Sequence, residues 1–206
     1  MRRDVAAIVL AGGRSSRMGG GDKPLLRLNG RPLIEHVLER IDGHVANVAI
    51  SANGDPALYA AFGLPVVADR TADLEGPLAG ILSGLEWAGR IIGVRTLVTL
   101  PGDTPFLPRD LIERLCAAAD AAPGAIVLSA SNGRVHPVCG AWPLSAASAL
   151  RAHMTEPGSR SVLRFVETLP HVSVGFAGPA DGPDPFFNVN TPADLDAAGR
   201  LAGDVA

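Results

Sequence analysis

Two stretches of this sequence carry side chains whose types and spacing suit the handling of phosphate. The first is VAAIVLAGGRSSRMGGGDKPLL, where five glycines (12, 13, 19, 20 and 21) alternate with Arg14, Arg17 and Lys23 directly after an apolar run. Glycines let the backbone approach a ligand and turn successive N–H groups toward it, so such loops make anion cradles. Arg14, Arg17 and Lys23 add charge for phosphate oxygens. The familiar phosphate loops do not fit, however. Lys23 is preceded by Asp22 and followed by Pro24 where a Walker loop needs Gly and Ser or Thr, and Gly19, Gly21 and Pro24 break the G-x-G-x-x-G dinucleotide pattern.

The second stretch is RTLVTLPGDTPFLP, which places Asp103 just past the apolar run 97–100. A carboxylate in that position can hold Mg²⁺, an oxygen-seeking ion usually bound by one or two carboxylates together with substrate phosphates. Read alone, Gly102-Asp103 is equally an ordinary turn in which Asp bonds its own backbone. Ser15 and Ser16 do not make a hydrolase, because no G-x-S-x-G surrounds them and no His stands at a recognisable spacing from an acidic partner. His36 falls on an amphipathic helical pattern and reads as structural. His136, in GRVHPVCGAW, has no ligand spacing and reads as a surface or structural residue.

The elements that must position these groups follow from hydrophobic periodicity. Short β-branched runs at 5–10, 45–51, 65–68, 96–100, 125–128 and 172–176 alternate with helical patterns at 32–41, 56–62, 77–88, 108–119, 144–154, 161–169 and 191–201. That alternation predicts an α/β fold, a parallel sheet with helices on both faces. Several helices open with Pro, whose fixed φ and missing N–H suit a first turn. Both phosphate-handling stretches then lie at carboxyl ends of strands, where open α/β sheets bind ligands. Segment 177–185, AGPADGPDP, reads as a loop and not a linker, since a single helix follows it.

Composition narrows the class further. A chain of 206 residues, 47% hydrophobic and 19% charged, is expected to form one domain with one core and not a disordered tail. Aromatics at 4% leave little for a base-stacking surface, and a net charge of −3 argues against a polyanion scaffold. Cys116 and Cys139 form no metal-binding spacing, so reducing cytoplasm is the expected setting. Arg2-Arg3 and the apolar run 5–11 resemble an export signal only weakly, and Gly12-Gly13-Arg14 ends the run at once, as a buried strand would require. No stretch approaches the ~18 apolar residues of a membrane helix.

Taken together, Leu10-Ala11-Gly12-Gly13, Arg17-Met18-Gly19, Asp22-Lys23, Pro77-Leu78-Ala79-Gly80, Pro101-Gly102-Asp103 and Asn188-x-Asn190-Thr191-Pro192 resemble the motifs of the molybdenum cofactor guanylyltransferases, in that family's order, from Val5 to Leu201. The resemblance implies a three-layer α/β/α fold with a mostly parallel, Rossmann-like sheet of the nucleotide-diphospho-sugar transferase type. It implies one nucleotidyltransferase domain over 1–206, with a nucleotide-binding half to about residue 105 and an acceptor half from about 106. The reaction implied joins GMP from GTP to the terminal phosphate of molybdopterin or Mo-molybdopterin, releasing pyrophosphate, with Mg²⁺ as cofactor. Molybdopterin-handling proteins would be partners; nucleic acid and membrane would not.

By the same resemblance, the backbone of Leu10, Ala11, Gly12 and Gly13 would line the nucleotide, and Asn53 and Asp69 would contact the guanosine. Lys23 would touch the phosphates with Arg17 beside it, Asp103 would bind Mg²⁺, and Asn188 and Asn190 would face the pterin. Asn190 precedes Thr191-Pro192 and is equally placed to cap the last helix. Three alternatives stay open. A cytidylyltransferase of the same pterin tends to carry LAAG in the first motif. A sugar-phosphate nucleotidyltransferase usually carries G-T-R where Arg14-Ser15-Ser16-Arg17 stand here. A non-catalytic nucleotide-binding regulator would need neither Asp103 nor Lys23.

Overall fold

The computed structural model describes residues 1–12, 22–68, 76–156, 160–178 and 183–203. In chain order its elements are β1 (Arg2–Leu10), the short pair β2 (Arg27–Leu28) and β3 (Arg31–Pro32), α1 (Leu33–Ile41), β4 (Val45–Ser51), β5 (Val66–Val67), α2 (Pro77–Ala88), β6 (Thr96–Pro101), α3 (Leu111–Ala121), β7 (Ile126–Ser131), β8 (Arg134–Pro143), α4 (Ala146–Met154), α5 (Val162–Val166), β9 (His171–Gly175) and α6 (Pro192–Gly203). Turns of 3₁₀ helix at Lys23–Leu25 and Pro56–Phe62 complete them.

The centre of the molecule is β1, whose residues from Val5 to Val9 are all buried, as a continuous apolar run demands of a strand covered on both faces. Side chains alternate across it. Val5, Ala7 and Val9 pack with α1 and α3 through Ile34, Val37 and Leu115, while Ala6 and Ile8 pack with α2, α4 and α5 through Ile81, Leu150 and Phe165. Two cores on opposite faces of one sheet make the three layers. The helix α2 lies unusually close to the sheet: a Cβ on Gly84 would stand 2.9 Å from Ile8 Cγ2.

The seven-stranded sheet runs β5-β4-β1-β6-β8-β7-β9. Every neighbouring pair is parallel except those made by β8, which is antiparallel to both β6 and β7. The expected α/β architecture is therefore present, and six of the seven expected helices and all six expected strands recur, most with shifted ends. The segment 56–62, expected as a full helix, is a 3₁₀ turn, and α3 begins at Leu111, past the expected start at 108.

The strand β8 was not expected from periodicity, because Pro137 and polar residues break its alternation. Pro137 sits where the β7–β8 register slips, between the Leu128↔Gly140 and Ser129↔His136 pairs, a place where a missing N–H is tolerated. The signal for this hairpin was Asn132-Gly133. Their φ values of 48° and 74° build the two-residue turn that Asn-Gly favours between strands. Among the described residues no helix is long and apolar enough to cross a membrane.

Candidate active site

Strand register brings the chemistry together. Leu10 pairs with Ser51 on β4 and with Pro101 on β6, so Ala11-Gly12, Ala52-Asn53 and Gly102-Asp103 leave the sheet side by side. The chain leaves β1 toward β4 on one side, while β6 lies on the other. At such a reversal of strand order a crevice opens beyond the carboxyl ends. A cavity of about 410 Å³ lies there, with Leu10, Gly12, Lys23, Asp103, Asn188 and Asn190 in its walls and the first turn of α2, from Gly76 to Gly80, along one side.

The Lys23 ammonium bridges the crevice. It forms an ion pair with Asp103 Oδ2 and donates to Asn190 Oδ1 at 2.6 Å. Both charged side chains are largely shielded, 12% and 19% exposed, which strengthens their attraction relative to a surface pair. Gly102 makes this approach possible. A Cβ there would lie 3.1 Å from the Leu10 carbonyl oxygen and 3.2 Å from Pro24, so bare backbone lets the Lys23-Pro24 turn sit against the end of β6. The Gly102 N–H donates to the Leu10 carbonyl at 3.0 Å, locking the two strand ends together.

The C-terminal asparagines are fastened to the same corner. The Asp103 carbonyl accepts from the Val189 N–H at 3.0 Å, and the buried Thr104 hydroxyl donates to Asn188 Oδ1. The alternative role for Asn190 is answered by its neighbours. Thr191 Oγ1 accepts from the Asp194 N–H at 3.2 Å, and the Asp194 carboxylate accepts from the N–H groups of Asn190 and Thr191 at 2.9 and 2.8 Å. This reciprocal cap starts α6, and the backbone N–H of Asn190 and then of Thr191 hold the Asp194 carboxyl below its usual range. The Asn190 side chain is thereby left to reach Lys23.

Asn53, exposed two residues past the end of β4, is not part of the cavity lining but stands beside it, its Nδ2 3.7 Å from where a Cβ on Gly12 would stand. Ala11 is buried and donates its N–H to the Ser51 carbonyl at 2.7 Å, so its side chain belongs to the core. Gly13, Arg17 and Asp69, expected at this site, lie outside the described residues.

Sequence reasoning missed two supports. The hydroxyl of fully buried Tyr59 donates to Asp22 Oδ2 at 3.3 Å, anchoring the residue before Lys23; burial, then the Asp22 charge, push its ionisation up. A lone Tyr within an apolar turn was the available hint, since a buried phenol needs a partner. Thr104 is the other support, and its partner 84 residues away left no local trace. His36, read as structural, ties α1 to β2 through the Leu28 carbonyl at 3.2 Å.

The donor set fits a hard divalent cation. Asp103 offers a carboxylate oxygen that already faces a cation, the Lys23 ammonium. Among the described residues no group of three or more His, Cys, Asp or Glu gathers to cage a metal. Asp103 would therefore share such an ion with nucleotide phosphates, as Mg²⁺ usually requires.

Comparison with known proteins places the chain in a family. Residues 7–172 match the model of the MobA-like NTP transferase domain. The chain is 50% identical over 202 residues to a molybdenum cofactor guanylyltransferase of Mesorhizobium japonicum, covering 98% of this chain and 97% of that one. A molybdenum cofactor guanylyltransferase of Acidiphilium cryptum is 47% identical over 93% of this chain and 92% of its own. Among solved structures, the molybdopterin-guanine dinucleotide biosynthesis protein A of Archaeoglobus fulgidus superposes with a TM-score of 0.78 at 24% identity, covering 97% and 99% of the two chains. A CMP:2-keto-3-deoxy-manno-octonic acid synthetase in complex with CTP reaches 0.78 at 18% identity, covering 98% and 100%. These two structures share the fold.

Proposed function

The chain belongs to the MobA-like NTP transferase family, and from that premise we propose that it transfers the GMP unit of GTP to the terminal phosphate of molybdopterin, forming the guanine dinucleotide cofactor and pyrophosphate. The observation that carries this reading is the Lys23–Asp103 pair at the joined ends of β1 and β6, inside the cavity that Asn188 and Asn190 close from the other side. No protein nucleophile is needed. An oxygen of the acceptor phosphate attacks the α-phosphorus, the bond from that phosphorus to the bridging oxygen breaks, and pyrophosphate leaves. The protein must align the two phosphates and neutralise the charge that develops.

Each wall of the crevice has a part in this. The bare backbone at Gly12 admits the nucleotide against the end of β1, near Asn53; by family resemblance Gly13 and Asp69 would contact it as well. Lys23, released from Asp103 by an arriving triphosphate, turns its ammonium to the phosphates, with Arg17 as a second cation. A preorganised charge of this kind is commonly worth about 100-fold or more in rate. Asp103 would hold Mg²⁺, which when bound adds positive charge on the phosphate oxygens. Asn188 and Asn190, held by Thr104 and the Asp103 backbone, present amides to the acceptor.

On this reading the nucleotide-binding half would end near residue 105, in the connection from β6 to α3. Free, buried Cys116 and Cys139, whose thiols burial pushes up to about 11 and 12, suit a reducing cytoplasm. The deciding experiment is pyrophosphate release from GTP and from CTP, each with and without molybdopterin and Mg²⁺. Release with GTP, molybdopterin and Mg²⁺ together is expected. Equal or greater release with CTP makes it a cytidylyltransferase, and none with either overturns the transferase reading.

A further inference from the structure

Ser131, the last residue of β7, is buried, and its single hydroxyl proton goes to Asp184 Oδ1 at 2.8 Å. Its oxygen lies 2.7 Å from His136 Nε2 across the hairpin. With its only proton committed, Ser131 must accept there, so the imidazole donates from Nε2. Burial lowers the His136 pKa, with Asp184 opposing and Arg134 assisting, in keeping with a neutral ring. The order carboxylate, hydroxyl, imidazole is not that of a nucleophile relay, in which the imidazole stands in the middle and takes the hydroxyl proton.

The network is instead a clasp between two parts of the chain. Asp184 also accepts from the Phe186 N–H at 2.8 Å and from Asn132 Nδ2 at 3.2 Å, so both residues flanking the β7 end hold it. The His136 ring stacks on Phe186 with centroids 4.4 Å apart and 19° between planes. Phe186 meets Phe176 edge-on at 5.6 Å, and the Arg114 guanidinium covers Phe176 at 4.4 Å. Two residues past Phe186 come Asn188, on Thr104, then Val189, on the Asp103 carbonyl, then Asn190, on Lys23. None of Ser131, His136 and Asp184 lies in the cavity wall, yet the irregular segment they clasp supplies part of that wall through Asn188 and Asn190.

We propose that His136 and Ser131 are positioning residues which, through Asp184 and Phe186, hold Asn188 and Asn190 at the height where the acceptor phosphate is received. This rests on the reading that this wall faces the acceptor. The clasp thereby tunes acceptor binding although Ser131 and His136 stand outside the cavity wall, which β8 itself reaches through Val138.

The test uses the full chain with Ser131→Ala, measuring GMP transfer against GTP and molybdopterin separately, and amide hydrogen exchange of the free protein. Loss of the bridging hydroxyl should raise the KM for molybdopterin about 10-fold, from the net worth of one or two hydrogen bonds, and leave the KM for GTP and kcat within about 2-fold. Amides at 186–190 should exchange faster while those of β1 and β6 do not. His136→Gln, which keeps an N–H donor, should recover most of the molybdopterin KM; His136→Phe, which keeps the stack but not the donor, should resemble Ser131→Ala. If Ser131→Ala does not fold, His136→Phe carries the test.

An unchanged molybdopterin KM, or an equal rise in both KM values, overturns the proposal. Should the wild type make no dinucleotide, the functional reading falls separately, and unchanged exchange at 186–190 in the variant would still overturn the clasp.

Discussion

The two sides of the crevice are built on different principles. On the side proposed for the nucleotide, three parallel strands end in register, and their following residues come together because adjacent strand ends must. On the side proposed for the acceptor, Asn188 and Asn190 sit on irregular chain held by single bonds from Thr104, Asp103 and Lys23, and by the Asp184 clasp to an antiparallel hairpin. The first side inherits its geometry from the core. The second is a set of long-range polar contacts that a single substitution can undo, which leaves it free to be adjusted for a particular acceptor.

The sharpest way to break this contrast is at Asp103, the residue both sides share. Asp103→Ala should lower GMP transfer about 100-fold or more at saturating Mg²⁺, because charge neutralisation goes while the backbone bond to Val189 stays. Thermal unfolding should remain within a few degrees of wild type. Near wild-type turnover would show that Asp103 is a turn residue and nothing more.

Two glycines separate packing from ligand approach. A Cβ on Gly140 of β8 would lie 2.3 Å from the Val127 carbonyl oxygen, so Gly140→Ala should cost about 3 kcal/mol in denaturant unfolding as the β7–β8 pair is forced apart. A Cβ on Gly12 meets only Asn53 Nδ2 at 3.7 Å, an ordinary contact, so Gly12→Ala should leave stability within about 0.5 kcal/mol. Its effect belongs to the ligand: kcat/KM for GTP should fall ~10-fold with at most a small gain for CTP. A GTP-to-CTP ratio equal to wild type would move the base away from Gly12.

The smallest effect concerns the clasp at low pH. Burial alone would raise the Asp184 carboxyl, but bonds from the Phe186 N–H, Ser131 and Asn132 outweigh it and hold the pKa below the usual 3.8. A carboxyl lowered by folding contributes stability that is complete above its unfolded value and lost as pH falls through its folded value. Exchange at amides 186–190 should therefore quicken below about pH 3.8 in wild type, more steeply than in Asp184→Asn. Parallel pH profiles in the two proteins would remove Asp184 from the clasp.

How much of this could be read in advance follows from the same division. The apolar run before Gly12 and the one before Asp103 announce buried parallel strands, and carboxyl ends of such strands are where ligands bind. The place of Asp103 beside the end of β1 was legible for that reason, and the fold with it. The strand β8 was not, since Pro137 disrupts the period on which recognition depends, although Asn132-Gly133 marked its turn. The role of Tyr59 in holding Asp22 was hidden in an apolar 3₁₀ turn whose sequence reads as a helix.

Local sequence thus determined the α/β class, the buried strands and the place of Gly12 and Asp103 just past strand ends, because periodicity and turn chemistry act between near neighbours. Only the tertiary structure decided that Asn190 turns to Lys23 while Thr191 and Asp194 cap the helix, and that Thr104 meets Asn188. It alone joined Ser131, His136 and Asp184 into one network. A polar side chain can bond any partner that folding brings within about 3 Å, and which partner that is depends on strand order and helix packing, not on spacing along the chain.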